Sequence, residues 1–183
     1  DLLILLPEAG NPVSNQKVER LIGLLWDVGL AVGHSVRTLD QCIEEATKDV
    51  TVQTNLIESR RLAGNRPLFE SFQTKVEHTI NVPTFLKAKI NEQEQRHKRF
   101  NDTTYNLEPN IKESPGGLRD LQTILWLSRA SGLGFNWNAL VKSALITASE
   151  LRQIRRHEQH LQTLRIHLHC MAKRREDRLI FDL

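Results

Sequence analysis

The chain opens on an acid, Asp1, followed at once by an unbroken apolar run from Leu2 to Leu6. Two acids one residue apart at the end of a strand face the same side, because the residue between them points the other way. Such a pair can share two Mg²⁺ ions that clamp the attacking and leaving oxygens during in-line attack on an α-phosphate. Asp1 is one acid of that kind, and its partner would stand two residues earlier, ahead of the sequence. The plain alternative is a solvated strand end. A metal pair also needs a third carboxylate on a neighbouring strand, and Glu58, in Ile57-Glu58-Ser59-Arg60, is the acid available for it. Taken alone, Glu58 and Arg60 read as a surface pair worth under about 1 kcal/mol.

A second string able to do chemistry is Ile111-Lys-Glu-Ser-Pro-Gly-Gly-Leu-Arg-Asp120. Adjacent glycines at a helix entrance let backbone amides approach a ligand, and the helix dipole favours an anion there. Gly116 and Gly117 would supply the amides, while Lys112 and Arg119 would add charge suited to a phosphate. The alternative is an ordinary Pro-Gly-Gly turn in which Arg119 and Asp120 pair with each other.

Other reactive side chains are better read as structural. His157, His160, His167 and His169 crowd one region, but no carboxylate completes a metal set at helical spacing, so they read as surface histidines. His34 and Ser35 are too close on one strand to belong to a triad. Trp26, Trp126 and Trp137 stand among apolar residues and are expected in the core. Cys42 reads as a buried spacer.

The elements that must position these groups follow from periodicity. The opening apolar run suits a strand buried on both faces, ended by Pro7, Gly10 and Pro12. A chain that opens in mid-strand points to a preceding portion. From Ser14 the spacing turns helical, with Val18, Leu21, Ile22, Leu25 and Val28 on one face and Gly29 as the stop. Residues 30–37 alternate as a strand does. Thr38 with Gln41 forms a capping box that opens a helix to about residue 48. Residues 51–63 fit either state, and the alternation of Val52, Thr54, Leu56 and Glu58 favours a strand near 56–62. Beyond Gly64 the pattern is helical: 67–79, then a charged helix over 83–100, a polar loop over 101–115, and a helix over 118–131. A short helix over 137–145 precedes a long one, opened by the Thr147 and Glu150 capping box and running to about residue 173.

Composition bounds the rest. With 183 residues the chain can hold one sizeable core or two small domains. No apolar run approaches the roughly 20 residues of a membrane helix, and no signal-peptide pattern is present. Two cysteines without metal-ligand spacing fit a reduced, cytoplasmic protein. The net charge of +3 is spread along the chain. Its densest basic groups, around Arg96 and around Arg174, read as solvated helix faces, which argues against nucleic acid.

Several segments, in order along nearly the whole chain, carry a family resemblance. They are the opening Asp1-Leu-Leu-Ile-Leu-Leu, Leu25-Trp-Asp-Val-Gly-Leu, Val32-Gly-His-Ser-Val-Arg-Thr, Val52-Gln-Thr-Asn-Leu-Ile-Glu-Ser-Arg, Tyr105-Asn-Leu-Glu-Pro-Asn, Ser114-Pro-Gly-Gly-Leu-Arg-Asp-Leu-Gln and Asp177-Arg-Leu-Ile-Phe-Asp. The chain resembles the bifunctional uridylyltransferase/uridylyl-removing enzymes of bacterial nitrogen signalling. The resemblance implies an α+β chain: an incomplete polymerase-β-like nucleotidyltransferase domain over 1–80, then an all-α helical domain over 81–183. Residues 174–183 would lead toward a hydrolase domain. It implies Mg²⁺-dependent transfer of UMP from UTP to a tyrosine of the PII signal protein, with glutamine sensed by further domains. The family's Gly-rich strand and first acid would precede Asp1, so this segment alone should be inactive. Asp1 matches the second acid of the family's Asp-x-Asp pair. Glu58 stands where the related glutamine synthetase adenylyltransferases carry the Asp of Asp-x-Arg. Gly116, Gly117, Arg119 and Asp120 match a motif common to both families and imply a place near the nucleotide phosphates. An adenylyltransferase acting on glutamine synthetase, and a non-catalytic helical module that docks a partner protein, are the competing readings.

Overall fold

The computed structural model describes residues 1–8, 12–100, 103 and 106–181. The chain divides into two units, Asp1–Ile80 and Asn81–Leu183.

In the first unit, β1 (Leu2–Leu6) and β2 (His34–Thr38) form a parallel pair, with Leu2 opposite His34 and Leu6 opposite Thr38. Parallel neighbours need a crossover, and α1 (Pro12–Asp27) supplies it. A Schellman-type bond from the Leu30 amide to the Leu25 carbonyl closes α1, with Gly29 at φ +83°. Four residues of irregular chain follow, so the second strand is shorter than the alternation over 30–37 suggests. The capping box expected at Thr38 and Gln41 is present and opens α2 (Leu39–Lys48). Asp49 ends α2 and caps α3 (Val50–Glu58) through its side chain, which accepts the Thr51 amide. The unit ends with α4 (Arg66–Thr79), capped by Asn65. Helices α2, α3 and α4 bury Cys42, Ala46, Leu56, Ile57, Phe72 and Val76 between them.

Two expectations fail in this unit. Where a strand is expected near 56–62, residues 59–62 are irregular and residues 56–58 end α3. Its β-branched residues favour a strand locally, but Thr54 and Ile57 lie three apart on one helical face, both buried, and tertiary packing overrides propensity. Trp26, expected in the core, is 56% exposed, and Leu21 and Val28 are exposed with it. A two-stranded sheet covers only a narrow stripe of α1, and Ile22 lies on it at 3% exposure.

The second unit holds α5 (Val82–Arg99), α6 (Leu118–Ala130), α7 (Trp137–Lys142) and α8 (Ala148–Ala172). The Thr147 and Glu150 capping box opens α8 as its sequence predicts. Trp137, Leu140 and Leu151 form a buried cluster, packed round by Leu121, Leu125 and Ile154. Among the described residues the unit's β pairing is an isolated antiparallel bridge between Asn110 and Arg178.

Candidate functional site

Asp1 stands exposed at the head of β1, where the Leu2 amide donates to the Gly33 carbonyl at 2.8 Å. Its carboxylate lies over Gly33, so a Cβ added at that glycine would sit 2.5 Å from Asp1 Oδ1. Glycine there gives the carboxylate room. Glu58 is the last residue of α3, exposed and without an ion pair, and not on a neighbouring strand as expected. No hydrogen bond or ion pair joins it to Asp1. Among the described residues no group of three His, Cys, Asp or Glu side chains could hold a metal ion. One strand-end carboxylate does not make a Mg²⁺ site, which needs several oxygen ligands in octahedral array, so the residues present do not by themselves fit the ion.

The Pro-Gly-Gly string is more fully built. Gly116 has φ +80°, the left-handed region that a glycine enters at no steric cost. At Gly117 an added Cβ would meet the carbonyl oxygens of Ile111, Lys112 and Ser114 at 2.8, 2.9 and 2.9 Å. The amides expected to face a phosphate are engaged within the protein. Gly116 donates to Asp120 Oδ2 at 2.8 Å, Gly117 to the Ser114 carbonyl at 2.8 Å, Leu118 to Ile111 at 3.0 Å and Arg119 to Lys112 at 2.8 Å. Both glycines therefore serve the loop's own geometry, as those of a Pro-Gly-Gly turn do. Lys112 lies 3.4 Å from Glu113.

Arg119 and Asp120 do not pair. Arg119 donates to Glu113 at 3.2 Å and to Gln122 at 3.0 Å, and its guanidinium stands 5.4 Å from the Trp126 ring centre. Lys89 covers Trp126 at 4.5 Å and is itself 2% exposed, held by Glu92 at 2.7 Å. Asp120 turns toward α5. Its Oδ1 accepts from Arg96 Nη2 and, at 3.1 Å, from Gln93 Nε2, while His97 Nε2 lies 3.0 Å away. Arg96, read from sequence as part of a solvated face, is 8% exposed. A signal was available: Phe85, Lys89 and Arg96 continue one helical stripe that begins apolar and stays buried.

A second carboxylate, which sequence reasoning passed over, has the same kind of setting. Asp177 accepts from Arg165 Nε at 2.5 Å and lies 3.1 Å from His169 Nε2. His169 is thus a bonded group, while His157, His160 and His167 are exposed as expected. For both acids, burial alone would raise the pKa. Asp120 is nonetheless held below the ordinary carboxyl range by the Gly116 amide, His97 and Gln93, and Asp177 by Arg165 and His169. A folded pKa below the unfolded value contributes stability that is complete above the unfolded value of about 3.9 and disappears as pH falls through the lower folded value. Thermal melts should therefore hold steady from these groups above about pH 5 and fall below about pH 4. Asp120→Asn with Asp177→Asn should flatten that fall, and an unchanged acid limb would refute the assignment.

These side chains belong to the stretch 84–183 that matches the family model described as GlnD PII-uridylyltransferase. The chain is α+β and belongs to that family. It is 54% identical over all 183 residues to bifunctional uridylyltransferase/uridylyl-removing enzymes of Burkholderia thailandensis, Burkholderia lata and Burkholderia mallei. It spans 21% of the length of each of these relatives. No solved structure matches it. No helix among the described residues is long and apolar enough to cross a membrane.

Proposed function

We propose that the longer protein containing this segment transfers UMP from UTP to a tyrosine of the PII signal protein. The observation that carries the reading is the 54% identity over all 183 residues to enzymes named for uridylyl transfer and removal. Asp1 supports it, because an exposed, unpaired carboxylate at the head of a strand is free to act on a ligand. In this reading Asp1 would offer one carboxylate toward Mg²⁺, and the remaining ligands would come from outside the segment. Glu58 has no role in it. Lys112, Gly116, Gly117, Arg119 and Asp120 shape the helical unit, and any influence on the nucleotide passes through that shape. Glutamine acts through other parts of the protein, the reaction is cytoplasmic, and the segment alone transfers nothing.

The test is a labelling assay with the longer protein, Mg²⁺, purified PII protein and UTP labelled at the α-phosphate. Label should appear on a PII tyrosine, and ATP labelled in the same position should give none. PII left unlabelled by UTP would sink the reading. Label from ATP on glutamine synthetase would replace it with the adenylyltransferase.

A further inference from the structure

The string that begins at Asp177 has no part in the proposed chemistry, yet it is bonded both to α8 and to the loop that precedes α6. Residues 177–181 run antiparallel to 108–111. The Ile111 amide donates to the Asp177 carbonyl at 2.8 Å, the Leu179 amide to the Pro109 carbonyl at 3.0 Å, and the Phe181 amide to Glu108 Oε1 at 3.3 Å. The Asp177 side chain points the other way, onto α8, where Arg165 and His169 stand one turn apart. One residue thus ties its own strand to the long helix with its carboxylate and to the loop with its carbonyl.

The loop passes this constraint on. Asn110 Oδ1 accepts the amides of Lys112 and Glu113 at 3.0 and 2.8 Å, and its own amide donates to Ser114 Oγ at 3.0 Å. These bonds fix the carbonyls of Ile111 and Lys112, which in turn accept the amides of Leu118 and Arg119 in the first turn of α6. The same first turn carries Asp120, the residue gripping Arg96 and His97 on α5. The path from α8 to α5 therefore alternates hydrogen bonds with short stretches of backbone, and its first member is Asp177.

We propose that Asp177 is a positioning residue: by bolting the returning strand to α8, it sets the loop that caps α6 and so holds the Gly116–Asp120 contact in place. The inference does not depend on UMP transfer. It treats the strand as a strap, whose release loosens the Pro-Gly-Gly turn before it loosens the helices themselves.

Amide hydrogen exchange followed by NMR on the 183-residue chain tests it. In Asp177→Asn, exchange should speed by about tenfold or more at two separated sets of amides, because a bond to a charged partner is lost. One set is the strap (Ile111, Leu179) and the other is the turn (Gly116, Leu118, Arg119). Amides in the Trp137, Leu140 and Leu151 cluster should keep their protection. Arg165→Gln removes a partner without altering the strap and should give the same pattern; it carries the test should Asp177→Asn fail to fold. Faster exchange confined to the strap would overturn the proposal, since the turn would then be held independently. Equal acceleration throughout the helical unit would overturn it too, because Asp177 would then serve only global stability. So would no change in either set.

Discussion

Replacing Asp1 by alanine in the longer protein is expected to reduce UMP transfer by about a hundred- to a thousandfold while leaving its melting temperature unchanged. The two halves of this expectation have separate grounds. Asp1 is exposed and makes no ion pair, and surface substitutions of that kind move stability by about 0.5 kcal/mol or less. Its carboxylate has room above Gly33 because nothing projects from that residue. In the proposed reaction Asp1 would help hold Mg²⁺, which would supply positive charge to the phosphoryl oxygens, and losing one such source of transition-state stabilisation costs about 10²–10³ in rate. The measurement is the initial rate of labelled UMP transfer, beside a thermal melt of the same variant. Near-normal transfer would remove Asp1 from the chemistry. Lost transfer with a lowered melting temperature would assign it a structural role.

The second large effect is expected at Asp120. Asp120→Ala should destabilise the helical unit by about 3 kcal/mol, read as a loss of roughly 12 °C or more in its melting temperature. The carboxylate is 17% exposed and its partner Arg96 is 9% exposed, so deletion leaves a cation with little access to water and only Glu113, 3.9 Å from its Nε, as an acidic neighbour. It also strips the Gly116 amide of its acceptor and leaves Gln93 unpaired. Asp120→Asn keeps an oxygen for the Gly116 amide and should cost less than the alanine variant. The order Ala worse than Asn, measured by denaturant or thermal unfolding, separates a hub of hydrogen bonds from a simple charge effect. Equal losses would argue that charge alone matters. A melting temperature within about 2 °C of the parent would show that the network is idle.

Local rules carried much of the fold. Both capping boxes, at Thr38 with Gln41 and at Thr147 with Glu150, occur where spacing places them, because the two reciprocal bonds depend on three residues of chain and little else. The helices after Gly64 begin and end within a few residues of expectation for the same reason. What sequence hid was tertiary. Residues 50–58 are rich in β-branched side chains, and only the presence of α2 and α4 beside them decides for helix. Trp26 sits among apolar neighbours, yet burial needs a covering element, and the narrow sheet leaves most of α1 uncovered.

The site was legible in its parts and misread in its pairings. Arg119 and Asp120 are adjacent in sequence, which suggested an ion pair. Neighbours on a helix point about 100° apart, so helical geometry sends Arg119 to Glu113 and Asp120 to α5. Arg96 and His97 were hidden by a charged helix whose buried stripe simply continues through charged residues. Asp177, Arg165 and His169 come together through a turn after α8 that no local signal announces.

The cage of three carbonyl oxygens round Gly117 bears on how such strings are interpreted in other proteins. Every larger side chain would collide with backbone, and backbone does not swing aside as a flexible side chain can. A glycine required by its own loop persists wherever the loop persists, whatever the protein around it binds. Two chains sharing Ser-Pro-Gly-Gly-Leu-Arg-Asp are thereby expected to share an architecture at the mouth of a helix. A common substrate has to be argued from other residues.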